Sequence, residues 1–288
     1  MTGSHGETAE PTAERVALWR ALHVEVDIAP HVLVDTLGLQ LIEPEDDWRR
    51  RPDMHPQRTS RARASIVARA RFIEDLVVEE ADRGIGQYVL LGAGLDSFAQ
   101  RHPDIGSRMR LFEVDQPGPQ AWKQRRLVEL GLDLPDWLHF VPVDFARGES
   151  WFDRLLGAGF DASRPAVIGS LGVAMYLSRD VNSALLRAVA SLAGSSTLVM
   201  SFQLPLELVD EEERAGRQAT EKFARAQGTP FLSMFSPGEM LDLARDAGFR
   251  ECRHVSSAEL REMYFAERID GLRPSSAEEL IVARTSQG

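Results

Sequence analysis

Short apolar runs alternate with amphipathic stretches over most of the chain. From Ser60 to Asp82, Ile66, Ala70, Ile73, Val77 and Ala81 recur at helical spacing, and Gly84 follows as a stop signal. Buried-type runs predict strands at Gln87–Leu91, Met109–Val114, Leu138–Val143, Ala166–Val173 and Thr197–Gln203. Between them the pattern predicts helices from Pro117 to just before Gly131, over Ser150–Leu156, and over Arg179–Leu192 with Gly194 behind it. Strands alternating with such helices make a parallel sheet with helices on both faces. Right-handed crossovers then gather the loops after the strands on one rim, where open α/β sheets bind ligands.

The ends of the chain depart from this rhythm. Val16, Trp19, Leu22 and Val26 predict a short amphipathic helix, behind a polar tail to about residue 11 that reads as disordered. Residues 44–60 read as loop, with Arg49-Arg50-Arg51 a solvated face. Leu206–Ala226 is a long charged helical stretch, read as an insertion over the ligand rim. Ser236-Pro237-Gly238-Glu239 predicts a capping box, opening a helix that ends at Gly248. Strands near Phe249–Val255 and Glu279–Arg284 finish the sheet. The expected organisation is a tail and helical extension over 1–60, then one domain over 61–288 with a helical insertion at about 206–235.

Composition narrows the function. Hydrophobic residues are 43% and charged residues 27%, the balance of a globular enzyme that needs no disulfide staples. Its one cysteine, Cys252, reads as a buried small hydrophobe in a strand. The net charge of -11 repels phosphate backbones and anionic lipid, so nucleic acid and membrane are poor partners. No run approaches the ~18 apolar residues of a membrane span. The first residues carry no secretory pattern, so the expected location is the cytoplasm.

The chemistry concentrates at three strand ends. Tyr88-Val-Leu-Leu-Gly92-Ala93-Gly94-Leu95-Asp96 runs a buried strand into G-x-G, where glycines let the backbone turn sharply and approach a ligand. The second strand ends in Phe112-Glu113-Val114-Asp115, and a carboxylate there can accept both ribose hydroxyls of an adenosine. The third ends in Val143-Asp144-Phe145, where a carboxylate can accept from the adenine amine and a phenyl ring can cover its face. Taken singly, these are also a tight turn, a helix cap and a turn carboxylate. A dinucleotide fold wants a third glycine and a pyrophosphate at the following helix N-terminus. Here Ser97 holds that glycine position and Asp96 would repel a pyrophosphate. The sign suits S-adenosylmethionine, which carries a sulfonium and an ammonium and no phosphate.

The segments LLGAGLDS, LFEVDQP, FVPVDF and SLGVAMYL, with SIVARARFIED upstream, resemble the leucine carboxyl methyltransferase family of class I methyltransferases. The likeness is greatest to its actinobacterial small-molecule branch and runs from about residue 14 to residue 285. It implies a Rossmann-like α/β fold with a seven-stranded, mostly parallel sheet and the last strand antiparallel. It implies S-adenosylmethionine as cofactor and a small-molecule acceptor, in secondary metabolism. By that resemblance Gly92, Ala93 and Gly94 line the cofactor, Asp115 holds the ribose, and Asp144 with Phe145 holds the adenine. Asp96, Glu113 and Gln116, inside the same motifs, join the cofactor-binding set. Arg69 would grip the methionine carboxylate, although Ala70 replaces the threonine of the family's Arg-Thr pair. Leu171-Gly172 stands where the family often has Glu-Gly, which leaves that glutamate's role without a carrier.

Methyl transfer from a sulfonium is a direct displacement that needs alignment and exclusion of water. A carboxylate acceptor is already ionised at neutral pH, whereas a phenol benefits from a base. No histidine pairs with a carboxylate at a telling spacing, and no cluster has metal-ligand spacing, so no metal is expected. Tyr176, just past the fourth strand, and Tyr264 and Arg273, near the last strands, are the candidate catalytic residues. Each also reads as packing or surface, as does Arg268. The reading is an O-methyltransferase with a carboxyl acceptor first. A nicotinamide-dependent oxidoreductase, a cofactor-binding protein without methyl transfer, and an enzyme using the cofactor structurally stay open, as does homo-oligomerisation.

Overall fold

The computed structural model describes residues 9–286. Strands β1 (Gln87–Leu91), β2 (Arg110–Asp115), β3 (Leu138–Pro142), β4 (Val167–Ser170), β5 (Thr197–Gln203), β6 (Glu251–Val255) and β7 (Glu278–Arg284) form one sheet. Their order is β3-β2-β1-β4-β5-β7-β6. Only β7 runs antiparallel to its neighbours, so the sheet is seven-stranded and mostly parallel, as expected.

The helices are α1 (Pro11–Val26), α2 (Leu37–Ile42), α3 (Ser60–Asp82), α4 (Phe98–Arg101), α5 (Pro117–Glu129), α6 (Trp151–Gly157), α7 (Arg179–Ala190), α8 (Glu211–Ala226), α9 (Pro237–Ala247) and α10 (Ser257–Phe265). Side chains alternate across each strand, so the two faces of β1 build two cores. Tyr88 and Leu90 pack with Leu111, Val167 and Val199 under Val67, Ile73 and Val77 of α3 and Leu260 of α10. Val89 and Leu91 pack with Phe112, Val114 and Ile168 over Leu155 of α6, Leu186 of α7 and Met240 of α9. Each such fully buried side chain contributes about 1.5–3 kcal/mol. No helix among the described residues is long and apolar enough to cross a membrane.

Several expectations need correction. α1 is not short: Glu10 caps it by accepting from Ala13 N at 2.8 Å, and it runs 16 residues. Its buried face is Ala17, Leu18, Ala21 and Leu22, while Val26 is 40% exposed. The apolar stripe is therefore rotated from the expected one, because small alanines let α1 sit close on α2 and α3. Of the expected disordered tail, residues 1–8 lie outside the described residues. Residues 44–60 hold two short 3-10 turns that bury Trp48 and Met54 against Leu18 and Leu22. Arg49 pairs with Glu25 at 2.7 Å on the surface, in keeping with a solvated face. Cys252 is partly rather than fully buried.

The fourth strand stops at Ser170 instead of Val173. Gly172 turns at φ 72° and donates its N–H to Ser201 Oγ at 2.8 Å. Helix α10 lies between the last two strands and was not anticipated, although Ser256 caps it by accepting from Glu259 N at 3.1 Å. The capping box at Ser236 forms as expected. Between β5 and β6, Leu206–Leu208 is a 3-10 turn, α8 follows, and residues 227–236 return without regular structure.

Candidate active site

The first three strand ends are tied to one another through their backbones. Gly92 N donates to Val114 O at 2.9 Å, Ala93 N to the same carbonyl at 3.3 Å, and Val143 N to Asp115 O at 2.9 Å. Gly92 holds φ 71°, and a β-carbon there would stand 2.5 Å from Val173 Cγ2. The turn therefore requires glycine. The Asp115 carboxylate accepts from Gly94 N at 2.5 Å and from Gln116 N at 2.6 Å. Burial still pushes its pKa above the ordinary aspartate range, so it gains from further donors.

Asp144 accepts from Arg147 N at 3.2 Å and pairs with Arg147 Nε at 3.1 Å. Phe145 is 50% exposed beside it. Gly92, Ala93, Gly94, Asp115, Gln116, Asp144 and Phe145 thus share one rim, and solvent reaches Gly92, Gln116 and Phe145.

Asp96 does something more specific than stand in the loop. Its Oδ1 accepts from Phe98 N at 2.8 Å, at the start of α4. The side chain occupies the helix N-terminus that would hold a pyrophosphate in a dinucleotide fold. Ser97, at the third-glycine position, is buried and donates to Asp35 at 2.7 Å. Glu113 faces the interior and pairs with Lys123 at 2.6 Å, each side chain 1% exposed. Desolvation outweighs the lysine and raises the Glu113 carboxyl to about 7. It is the one residue of the expected cofactor set that turns away from the rim.

Helix α1 roofs this cradle. A β-carbon on Gly94 would lie 3.2 Å from Ala13 Cβ. Arg20 donates to Leu95 O at 2.5 Å and to Asp35 at 2.6 Å, which fixes α1 to the glycine turn.

The adjoining side of the rim is built by α3, β4 and β7. Arg69 of α3 forms an ion pair with Glu278, the first residue of β7, both nearly buried. The arginine lies across Gly172, where a β-carbon would stand 2.7 Å from Arg69 Nη2. Tyr176 is adjacent: Arg15 and Arg69 act on its charge, and Thr12 of α1 stands near its hydroxyl. Burial raises its pKa, so the phenol stays protonated.

The other two catalytic candidates are engaged elsewhere. Tyr264 donates to Asp75 at 3.0 Å on the outer surface of α3, six residues along the helix from Arg69. Arg273 pairs with Glu212 and helps anchor α8. Arg268 holds Ile28 O at 2.7 Å and Pro30 O at 2.9 Å. Three histidines find carboxylates through the fold, His23 with Asp27, His102 with Glu74 and His254 with Glu279, none of them residues of the cradle. Asp210, Glu212 and Glu213 form an acidic group among the described residues. Arg61 and Arg273 compensate its charge.

Sequence reasoning missed Glu278, Thr12 and Arg217. Glu278 stands one residue before the predicted start of the last strand, and Arg217 sits in a helix whose charge suggested exposure.

Comparison with known proteins agrees with this geometry. Residues 13–190 match the model of a family described as leucine carboxyl methyltransferase. YktD of Bacillus subtilis, named as a predicted S-adenosyl-L-methionine-dependent methyltransferase, is 33% identical over 207 residues, 72% of this chain and 67% of its own length. A protein of Mycolicibacterium gilvum named in the same way is 31% identical over 193 residues, 66% of this chain and 62% of its own length. The chain therefore spans about two thirds of the length of these relatives. Among solved structures, a DUF574 family protein from Streptomyces avermitilis superposes with a TM-score of 0.63 at 18% identity, covering 96% of this chain and 98% of that one. A predicted methyltransferase from Thermobifida fusca gives 0.62 at 18% identity, covering 97% of this chain and 96% of the other. At these identities the likeness speaks for the fold alone.

Proposed function

The chain belongs to the leucine carboxyl methyltransferase family of S-adenosylmethionine-dependent methyltransferases, and from that premise we propose that it methylates an oxygen of a small molecule, a carboxylate first. The observation that carries the cofactor reading is the Asp96 carboxylate accepting from Phe98 N at the start of α4. A negative side chain sits where a nicotinamide cofactor would rest its phosphates, which weighs against an oxidoreductase on the same fold.

The cradle fits the cofactor by donor chemistry. Asp115 is a desolvated acceptor suited to the ribose hydroxyls. Asp144 and the exposed Phe145 ring suit the adenine edge and face. Gly92 and Gly94, both at positive φ, let the turn fold tightly against Val173 and Ala13 and hold its backbone at the rim. We assign the methionine end to Arg69 and Glu278, a cation and an anion already paired and matched to a zwitterion. Glu278 then does from β7 what the missing glutamate at Leu171 would do from β4. Glu113 supports the rim from beneath through Lys123 and makes no cofactor contact. We read residues 61–288 as the catalytic unit and 1–60 as an extension whose first helix covers it.

When bound, the cofactor supplies an activated methyl group on a sulfonium. The protein's part is to hold the acceptor oxygen in line and keep water out. Helices α1 and α8 close over the rim for that purpose: Arg15 of α1 lies 5.2 Å from the Phe223 ring of α8. Tyr176, a protonated phenol beside Arg69, can donate to an acceptor oxygen. Among the described residues no side chain at the rim is poised as a base, which favours an acceptor ionised on its own. The test is a transfer assay with methyl-labelled cofactor across small carboxylic acids and phenols. Label in methyl esters is the expected result. Label only in phenol ethers would overturn the carboxyl assignment, and no label with any acceptor would leave a binding protein.

A further inference from the structure

We propose that Arg217, on the inserted helix α8, binds the carboxylate of the methyl acceptor, with Phe231 and Tyr176 walling the rest of that molecule. This rests on the methyltransferase reading above and adds the acceptor's site to it. Helix α8 is charged along its length, yet Arg217 and Ala224 are its buried residues. The Arg217 side chain is 4% exposed, and its Nε, Nη1 and Nη2 all lack a hydrogen bond. Nη1 comes within 2.9 Å of Glu221 Oε1, one turn along the same helix, but not in hydrogen-bonding alignment.

A guanidinium carries five donors in a fixed plane. Burying them without hydrogen bonds, with one carboxylate out of alignment as the only ion pair among the described residues, is costly. Such a group calls for an anion that is not always there.

The surroundings narrow which anion. The Phe231 ring lies 4.8 Å from the Arg217 guanidinium carbon, and the Tyr176 ring lies 5.6 Å from Phe231 at 70°. Leu232 N donates to Met175 O at 2.7 Å, so the loop after α8 is fastened to the turn that carries Tyr176. Arg217 therefore faces the same rim as Tyr176 and Glu278, both of which act on its charge. Glu278 is engaged by Arg69 and makes no hydrogen bond to Arg217. The bound cofactor brings a further net positive charge. An anion with an apolar, ring-sized body completes both the charge balance and the aromatic wall.

A carboxylate meets the chemistry as well. Its oxygen forms the new O–CH3 bond as the S–CH3 bond breaks, the electron pair stays on sulfur, and no proton moves. The neutral ester has lost the charge that Arg217 held, which favours its release.

The experiment uses the full chain saturated with S-adenosylhomocysteine, with phenylacetate and its neutral analogue phenylacetamide as probes. Phenylacetate should raise the wild-type Tm and phenylacetamide should not. Arg217→Met should raise the Tm of the unliganded protein by about 2 °C or more, because it removes a buried cation whose donors make no hydrogen bond. It should bind S-adenosylhomocysteine as the wild type does and lose the response to phenylacetate. Arg217→Lys keeps the charge without the fork and should weaken phenylacetate binding about tenfold. A lower Tm in Arg217→Met, an equal phenylacetate response in all three proteins, or no response in the wild type would overturn the proposal. Failure of the wild type to bind S-adenosylhomocysteine would instead remove the methyltransferase reading beneath it.

Discussion

Arg69 and Glu278, 209 positions apart in the chain, form an ion pair across Gly172 at the ligand rim. The pair joins the helix before the sheet to the last strand of the sheet. It also brings a carboxylate to a place where the local sequence, Leu171-Gly172, offers none. Both side chains are nearly buried, so neither charge is much screened by water.

Glu278→Gln should weaken S-adenosylmethionine binding about 10- to 100-fold, since a hydrogen bond to a charged group is lost. Methylthioadenosine, which lacks the amino-acid end, should bind the variant as it binds the wild type. Calorimetry with both ligands checks this. Equal losses for the two would mean that the rim has collapsed and that Glu278 is structural.

Gly92→Ala should lower stability and cofactor affinity together. The left-handed backbone costs a side chain about 1–2 kcal/mol. The added β-carbon also meets Val173 Cγ2 at 2.5 Å. Trimming that neighbour in a Gly92→Ala/Val173→Ala double variant should recover part of the lost Tm. A single variant with unchanged Tm and affinity would refute the close approach.

Glu113 and Lys123 make a pH-dependent contribution of a stated sign. The Glu113 carboxyl is raised from 4.5 to about 7 in the folded chain. The folded state therefore holds this proton more tightly than the unfolded state does. Its contribution to stability is largest below about pH 4.5, falls as pH rises toward 7, and is flat above. Wild-type stability minus that of Glu113→Gln, from urea titrations, should decline between pH 5 and pH 7. A difference that is flat over that window and rises with pH only below about pH 5 would show that Lys123 dominates and that the folded carboxyl is ionised throughout. Lys123→Met alone should cost about 3–5 kcal/mol at neutral pH, and the double change to Gln and Met much less.

The parts of the fold visible in the sequence were those set by local pattern. Gln87–Leu91 and Thr197–Gln203 are apolar runs bounded by turn residues, and both strands have the predicted limits. Helix α9 announces itself through the capping box at Ser236. The limits of reading appear where packing decides. Ala166–Val173 looks like one long strand, yet Gly172 turns out of the sheet so that Val173 can pack on Gly92. The stripe of α1 is misread because Ala17 and Ala21, small and weakly hydrophobic, make the close contact. Helix α10 went unseen although Ser256 and Glu259 carry a cap signal, since its nine residues are too few for a helical period to stand out.

The part of the candidate site at the first three strand ends was legible because its residues end consecutive strands. Arg69 was named as well, but its partner Glu278 and Arg217 were not. Glu278 reaches Arg69 only through sheet order, with β7 inserted between β5 and β6. Arg217 lies against Phe231, in residues 227–236 that fold back after α8. A charged helix gives no local sign of that.

The central claim is that the glycine turn, closed to phosphate by Asp96, cradles an adenosine whose ribose rests on Asp115. Calorimetric titration of the wild type and Asp115→Ala with S-adenosylhomocysteine and with NAD tests it directly. The account predicts S-adenosylhomocysteine binding by the wild type, at least a tenfold loss in Asp115→Ala, and no measurable NAD binding by either. Tight NAD binding without S-adenosylhomocysteine binding, or an Asp115→Ala protein with wild-type affinity, would contradict it.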